Sequence, residues 1–298
     1  MDLRIVTRRV LNSYEKIKSI ERTLNSKKEM RNYMIFETHA HYDDQAFEQD
    51  RESLLKELKE QNIGTVVNIG ASIASSQKTL ELTKQYPFFY GAIGVHPDET
   101  KELTEENFLQ LKEVAQQEKV VAIGEIGLDY YWDSTPREVQ KYWFEKQLDL
   151  AVELQLPVVI HSRESASDTL EIIKKYVQKT NGTLTGVIHC FSYGVELAEE
   201  YVKMGFYLGI GGVVTFKNGR KLKEVVQKIP LEYLVLETDS PYLAPVPYRG
   251  KRNTSLNLCY IAEEVANIKQ ISVEEVIKTT TENANTLYQI ERRGLWQH

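Results

Sequence analysis

Residues 157–192 read PVVIHSRESASDTLEIIKKYVQKTNGTLTGVIHCFS. Two short runs rich in Val and Ile, Pro157 to Ile160 and Leu184 to Ile188, each stop at a histidine, and Ala166 to Gln178 between them mixes charged and apolar residues as a helix does. Branched residues bounded by turn formers suit strands buried on both faces of a parallel sheet, and a helix joining two of them is the crossover that parallel pairing requires. The unit recurs in both directions. Upstream strands are expected at Met34 to Thr38, Thr65 to Ile69, Phe88 to Ile93 and Val120 to Gly124, and downstream ones at Phe206 to Ile210 and Tyr233 to Glu237. Helical stretches such as Arg137 to Leu154 and Gly219 to Lys228 fill the intervals. Eight such units in the 265 residues after position 33 match a closed (β/α)8 barrel, for which about 250 residues is typical. An open doubly wound sheet is the alternative, but no Gly-x-Gly-x-x-Gly turn follows the first strand. The tail Leu256 to Gln289 reads as two helices around a break at Gln270-Ile271-Ser272, so residues 34–298 form one α/β domain.

The first 33 residues differ in character. Nine basic and four acidic residues give them a net +5, which leaves −11 on the rest of a chain whose total is −6. Leu3, Val6, Val10, Tyr14, Ile17, Ile20 and Leu24 recur at three- or four-residue steps, so residues 1–33 are expected to be a basic extension, helical or poorly ordered, that can contact a partner. Thr7-Arg8-Arg9-Val10-Leu11 hints at a twin-arginine signal, but charge fills the following segment where an apolar region should stand, and the export reading is rejected. No apolar run approaches the roughly 20 residues that cross a bilayer. The acidic balance argues against coating nucleic acid by bulk charge and leaves room for a local basic site. Cys190 and Cys259 are too few for a disulfide framework. A cytoplasmic monomer is expected.

Five of the six histidines, His39, His41, His96, His161 and His189, fall at or just past the end of a candidate strand. In a barrel these ends converge on one face, where barrels of this kind place their active sites. His39 and His41 are two apart and so share a strand face; standing alone, the pair would read as surface or capping residues. Glu125 follows Gly124 and precedes Gly127, glycines that let backbone approach a ligand. Asp239 comes off the eighth strand. Four imidazoles and two carboxylates, His39, His41, Glu125, His161, His189 and Asp239, make a mixed nitrogen and oxygen set suited to Zn, Mn, Co or Mg. Two ions need a shared ligand, which a carboxylate provides and a neutral imidazole does not, so Glu125 is the expected bridge. Paired divalent ions imply hydrolysis, with Asp239 able to take a proton from water.

These residues sit in motifs that together resemble the TatD family of metal-dependent deoxyribonucleases, amidohydrolase-like barrels, over essentially Met34 to Ile290. The motifs are Glu37-Thr38-His39-Ala40-His41, Gly94-Val95-His96-Pro97, Gly124-Glu125-Ile126-Gly127-Leu128-Asp129-Tyr130, His161-Ser162-Arg163-Glu164, His189-Cys190-Phe191-Ser192 and Leu236-Glu237-Thr238-Asp239-Ser240-Pro241. The resemblance implies His39, His41, Glu125 and Asp239 around one ion and Glu125, His161 and His189 around the other. It also implies cleavage of DNA phosphodiester bonds from the 3′ end of single strands. Three departures stand out: Glu37 where the family usually has Asp, Tyr193 where it commonly has Gly, and Thr254-Ser255 in place of an acidic residue and a proline. Arg249, Lys251 and Arg252, just past Asp239, and Arg163, beside His161, are candidates to hold phosphate, or else solvated surface cations. Tyr130, Tyr131 and Trp132 either stack on bases or act as lids and packing. His96 is expected behind the ligands or facing phosphate, His298 as a terminal bystander, and Cys190 turned away from the metals. The alternatives are a hydrolase of a small-molecule ester, amide or phosphoester on the same site, or a metal-binding adaptor recruited by its N-terminal helix.

Overall fold

The computed structural model describes residues 34–132 and 134–290, so the extension expected over residues 1–33 and the terminal His298 lie outside the described residues. Eight strands, β1 (Ile35–Ala40), β2 (Ile63–Ile69), β3 (Phe89–Ile93), β4 (Val120–Asp129), β5 (Val158–Arg163), β6 (Gly186–Ile188), β7 (Tyr207–Ile210) and β8 (Leu234–Leu236), pair in parallel in chain order. The ring closes between β1 and the end of β8. There Ala40 bridges Ser240, the His41 amide donates to the Ser240 carbonyl at 2.8 Å, and the Asp239 amide donates to the His39 carbonyl at 2.9 Å. The closed barrel is therefore the observed fold.

Among the described residues nine helices follow the expected units: α1 (Arg51–Glu60), α2 (Ile73–Gln85), α3 (Glu105–Ala115), α4 (Arg137–Leu154), α5 (Ala166–Lys179), α6 (Val195–Lys203), α7 (Arg220–Lys228), α8 (Leu258–Lys269) and α9 (Val273–Tyr288). Local chemistry sets their ends. The Ser72 and Ser272 side chains each accept an amide at the N-terminus of α2 and α9, and Thr104 and Asn107 form a reciprocal capping box on α3. Gln270, at φ 57°, stops α8 in a left-handed cap, which is the break expected in the tail.

Two apolar layers hold the barrel. Outside, residues such as Val66, Ile123, Ile160 and Leu208 pack against the helices. Inside, Phe36, Val67, Tyr90, Val121, Val159, Val187 and Val235 meet Leu287, Tyr288 and Ile290, so the end of α9 plugs the barrel where the strands begin. Tyr288 stacks on Phe36 at 5.9 Å and donates its hydroxyl to the Thr38 carbonyl. With one end plugged, only the ends of the strands remain open to a substrate.

Three strands depart from the expected pattern, and β5, expected to stop at Ile160, runs on to Arg163. β4 does not stop at Gly124 but runs on to Asp129, with its register against β5 shifting between Ile123 and Ile126. β1 has a similar irregularity between Glu37 and Ala40. Phe36 packs in the inner layer while Ala40 belongs to the outer one, so the shift turns His39 and His41 into the mouth.

Candidate metal centre

The ligand-type side chains come from the open ends of β1 and β5, from within β4 and from the segments after β6 and β8. The His41 Nδ1–H donates to the Ile69 carbonyl of β2 at 2.9 Å, so Nε2 points inward. It stands 3.1 Å from His39 Nε2, with Glu125 Oε2 at 3.5 Å from His39 and 3.8 Å from His41, and Asp239 Oδ1 at 3.7 and 3.4 Å. The other oxygen of Glu125 faces a second group: Oε1 lies 2.8 Å from His161 Nδ1 and 3.1 Å from His189 Nε2. The rings of His39 and His189 stack at 3.8 Å, which joins the two groups into one cluster.

This donor set fits divalent ions. Donors bound at about 2.0–2.2 Å around a tetrahedral ion stand about 3.3–3.6 Å apart, close to the 3.1–3.8 Å spread of the first group. The two Nε2 atoms of His39 and His41 are aimed at each other, an arrangement a cation between them satisfies, and His39 Nδ1 is buried with no hydrogen-bond partner. His39, His41 and Glu125 are one group close enough to hold an ion, and Glu125, His161 and His189 are another. These clusters are where the residues present could bind metal.

Charge in the cluster is tightly coupled. Burial alone would raise Glu125, but His189, His161 and His39 outweigh it and hold the carboxyl well below its usual range. Burial likewise works against protonating His41, yet Asp239 and Glu125 raise it to about 9. His189 is driven well above its ordinary value against burial by Glu125 and Glu237. These acids thus demand positive charge, which protons supply to the imidazoles when no ion does.

Two acids that the strand-end reading passed over complete the cluster. Asp129 Oδ2 lies 3.0 Å from His161 Nε2, and Glu237 Oε1 lies 3.3 Å from His189 Nδ1 while accepting the Cys190 amide at 2.6 Å. Both were available from alternation, since Asp129 is four residues past Glu125 and Glu237 two before Asp239. The buried Gln140 and Gln147 of α4 hold the neighbouring strand exits: Gln140 pairs with both backbone groups of Asp129, and Gln147 with both of Val95.

The remaining candidates divide. His96 sits at the edge of the cluster, its Nε2 3.9 Å from Glu125 Oε1, and its Nδ1 accepts the Asp98 amide at 3.3 Å. Arg163 lies over the ring of Tyr131, 3.8 Å from its centroid. Arg249 stands over Phe216, and neither it nor Lys251 forms an ion pair among the described residues. Two candidates are held by neighbouring side chains. Arg252 is gripped by Asp50 through two bonds of 2.7 and 2.6 Å, so its guanidinium is already occupied. Tyr130 donates its hydroxyl to Asp168 and packs under Arg137. The glycines around Glu125 also serve a different purpose from the one expected. A Cβ on Gly124 would stand 2.5 Å from Val159 Cβ, and one on Gly127, where φ is +144°, would strike the His161 carbonyl, so both admit the neighbouring strand and not a ligand.

The departures find local roles. Glu37, at the β1–β8 seam, accepts from the Thr238 amide and hydroxyl and the His39 amide, and burial raises it to about 8. The Tyr193 hydroxyl meets Ser162 Oγ at 3.0 Å. Ser255 pairs with the buried Tyr42 hydroxyl through its amide and its own hydroxyl, while Asn253 pins the loop to the Thr238 carbonyl.

Comparison with known proteins agrees with this geometry. The family model described as "TatD related DNase" matches residues 36–289. The chain is 42% identical over 257 residues to "Uncharacterized metal-dependent hydrolase YabD" of Bacillus subtilis, covering 86% of this chain and all of that one. It is 32% identical to "3'-5' ssDNA/RNA exonuclease TatD" of Erwinia tasmaniensis, covering 82% of this chain and 95% of that one. The crystal structure of YjjV, a TatD homologue from Escherichia coli, superimposes with a TM-score of 0.80 at 28% identity, covering 86% of this chain and 98% of that one. The barrel, the donor cluster and these matches together make the chain a member of the TatD-related DNase family and a metal-dependent hydrolase.

Proposed function

We propose that this hydrolase uses two divalent ions, of Mg, Mn, Zn or Co, to cleave phosphodiester bonds in DNA, shortening single strands from the 3′ end. The observation that carries the reading is Glu125, whose two oxygens face two separate donor groups at the one open end of the barrel. The relative in Erwinia tasmaniensis named as a 3'-5' ssDNA/RNA exonuclease supports the polarity and the strandedness. The acidic total charge is compatible, because trimming an end requires a grip on a few phosphates and no long basic track.

Divalent ions in such a site polarise a phosphoryl oxygen and make water nucleophilic near neutral pH. The protein's own groups do the rest. Asp239, held ionised against burial by His41, His189 and His39, accepts the proton released by the attacking water. His96 takes the Asp98 amide on Nδ1, so its proton resides on Nε2, which faces the cluster as a neutral donor to a phosphate oxygen. Arg163, Arg249 and Lys251 supply positive charge along the mouth. Cys190 and Cys259 as free thiols suit a reducing compartment such as the cytoplasm.

The test is digestion of a 5′-labelled single-stranded DNA by metal-stripped protein, with Mg or Mn added back, beside Glu125→Ala. A metal-dependent ladder shortening from the 3′ end and missing in the variant is expected. Metal-loaded protein that leaves DNA intact yet turns over an uncharged ester would overturn the reading in favour of a small-molecule substrate.

A further inference from the structure

In a ring of eight strands paired in chain order, β4 and β8 lie opposite each other across the mouth. The segments leaving these two strands carry most of the exposed aromatic surface: of five exposed aromatic side chains among the described residues, four are Tyr131, Trp132, Tyr242 and Tyr248, at 54, 54, 54 and 43% exposure. The first bank is packed by a cation, and the second is followed in the chain by two. After β4, Arg163 lies over Tyr131 at 3.8 Å and reaches Trp132 at 5.6 Å, and the two rings stand edge to face at 4.9 Å. After β8, Arg249 and Lys251 come one and three residues after Tyr248, with Arg249 over Phe216 at 4.4 Å; Tyr248 stands edge to face with Tyr260 at 5.5 Å, and Tyr242 donates its hydroxyl to Asp44 at 3.3 Å. None of these three cations has an ion-pair partner among the described residues, whereas Arg252, next in line, is consumed by Asp50. The contrast between Tyr130 and its neighbours is similar: Tyr130 is tied down by Asp168 and Arg137, while Tyr131 and Trp132 are left in solvent.

We infer that the two banks form a split stacking platform for unpaired nucleic acid. The strand crosses the mouth over the metal cluster, with a base on Tyr131 and Trp132 on one side of the reacting phosphate and a base on Tyr242 and Tyr248 on the other. Every base offers a π face, so such a platform tolerates any sequence, and unpaired cations beside the rings complement the phosphates between the bases. A duplex keeps its base faces stacked inside and offers them to neither bank. This inference rests on the phosphodiesterase reading and assigns its specificity for single strands to these four rings.

The experiment compares the metal-loaded protein with Tyr131→Ala/Trp132→Ala and with Tyr242→Ala/Tyr248→Ala on a single-stranded 12-mer and on the same sugar–phosphate chain with tetrahydrofuran in place of every base. Each double variant is expected to raise KM on the 12-mer about tenfold or more, with kcat within about twofold, and to leave the baseless chain unaffected. An unchanged KM on the 12-mer for either variant would overturn the split platform, as would an equal loss on the baseless chain. If the wild type cleaves neither chain, the phosphodiesterase reading falls, and anisotropy of a labelled 12-mer decides the platform alone. Single-strand binding weakened tenfold by both variants upholds it, and binding unchanged in either one removes it.

Discussion

At the scale of the residue, the cluster depends on two acids that brace its imidazoles. Asp129 faces the far nitrogen of His161 and Glu237 the far nitrogen of His189, which fixes ring orientation and makes the inward nitrogen more basic. Asp129→Asn and Glu237→Gln keep the shape and remove the charge. Each is expected to weaken metal binding about 10- to 100-fold, read by competition with a chromogenic chelator, since losses of that size follow when such outer partners are removed. Affinity equal to wild type in both variants would mean the two carboxylates serve packing alone. The ligand-type residues were legible in the sequence because each is a histidine or acid at the end of an apolar run. Asp129 and Glu237 were legible only through alternation, and the pairing of Arg252 with Asp50, 202 positions away, lay beyond any local pattern.

At the scale of the element, β4 carries the most. Gly124 looks like a strand terminator in sequence, yet here it continues the strand by letting β5 approach where a side chain would not fit. A Cβ there would stand 2.5 Å from Val159 Cβ and 2.9 Å from its carbonyl oxygen, so Gly124→Ala must push β4 from β5 directly before Glu125. We expect a loss of about 1–3 kcal/mol, typical of overpacking, read from the urea midpoint, together with weakened metal binding. Gly194→Ala is the control, because its nearest obstacle is the movable Glu196 carboxylate at 3.0 Å. Equal effects in the two variants would refute a special demand at Gly124. The eight units, the two tail helices and the bounds of α4 were readable from periodicity, because parallel strands buried on both faces are continuous apolar runs. The register shifts in β1 and β4 were not, since they arise from how neighbouring strands meet.

At the scale of the whole molecule, the cluster gathers side chains from β1, β4, β5 and from the segments after β6 and β8, including the β1–β8 seam where the ring closes. An ion held by these residues therefore crosslinks the barrel, and removing it should be felt in global stability. Binding to the folded state alone contributes about 2.7 kcal/mol at a metal concentration 100 times Kd. At roughly 2–4 °C per kcal/mol for a domain approaching this size, chelation should lower Tm on the order of 5–10 °C. The effect must also depend on pH with a definite sign. Without metal, His41 is raised from 6.5 to about 9, so its contribution to stability is fully present below pH 6.5 and is lost as pH rises through 9. With metal, that proton has to leave, so binding tightens as pH rises over the same window. The metal-free and metal-loaded melting curves should therefore separate further at pH 8.5 than at pH 6.5, which paired scans with EDTA and with added Mn would read. A separation that stays constant or shrinks with rising pH would mean that the ion does not displace the His41 proton.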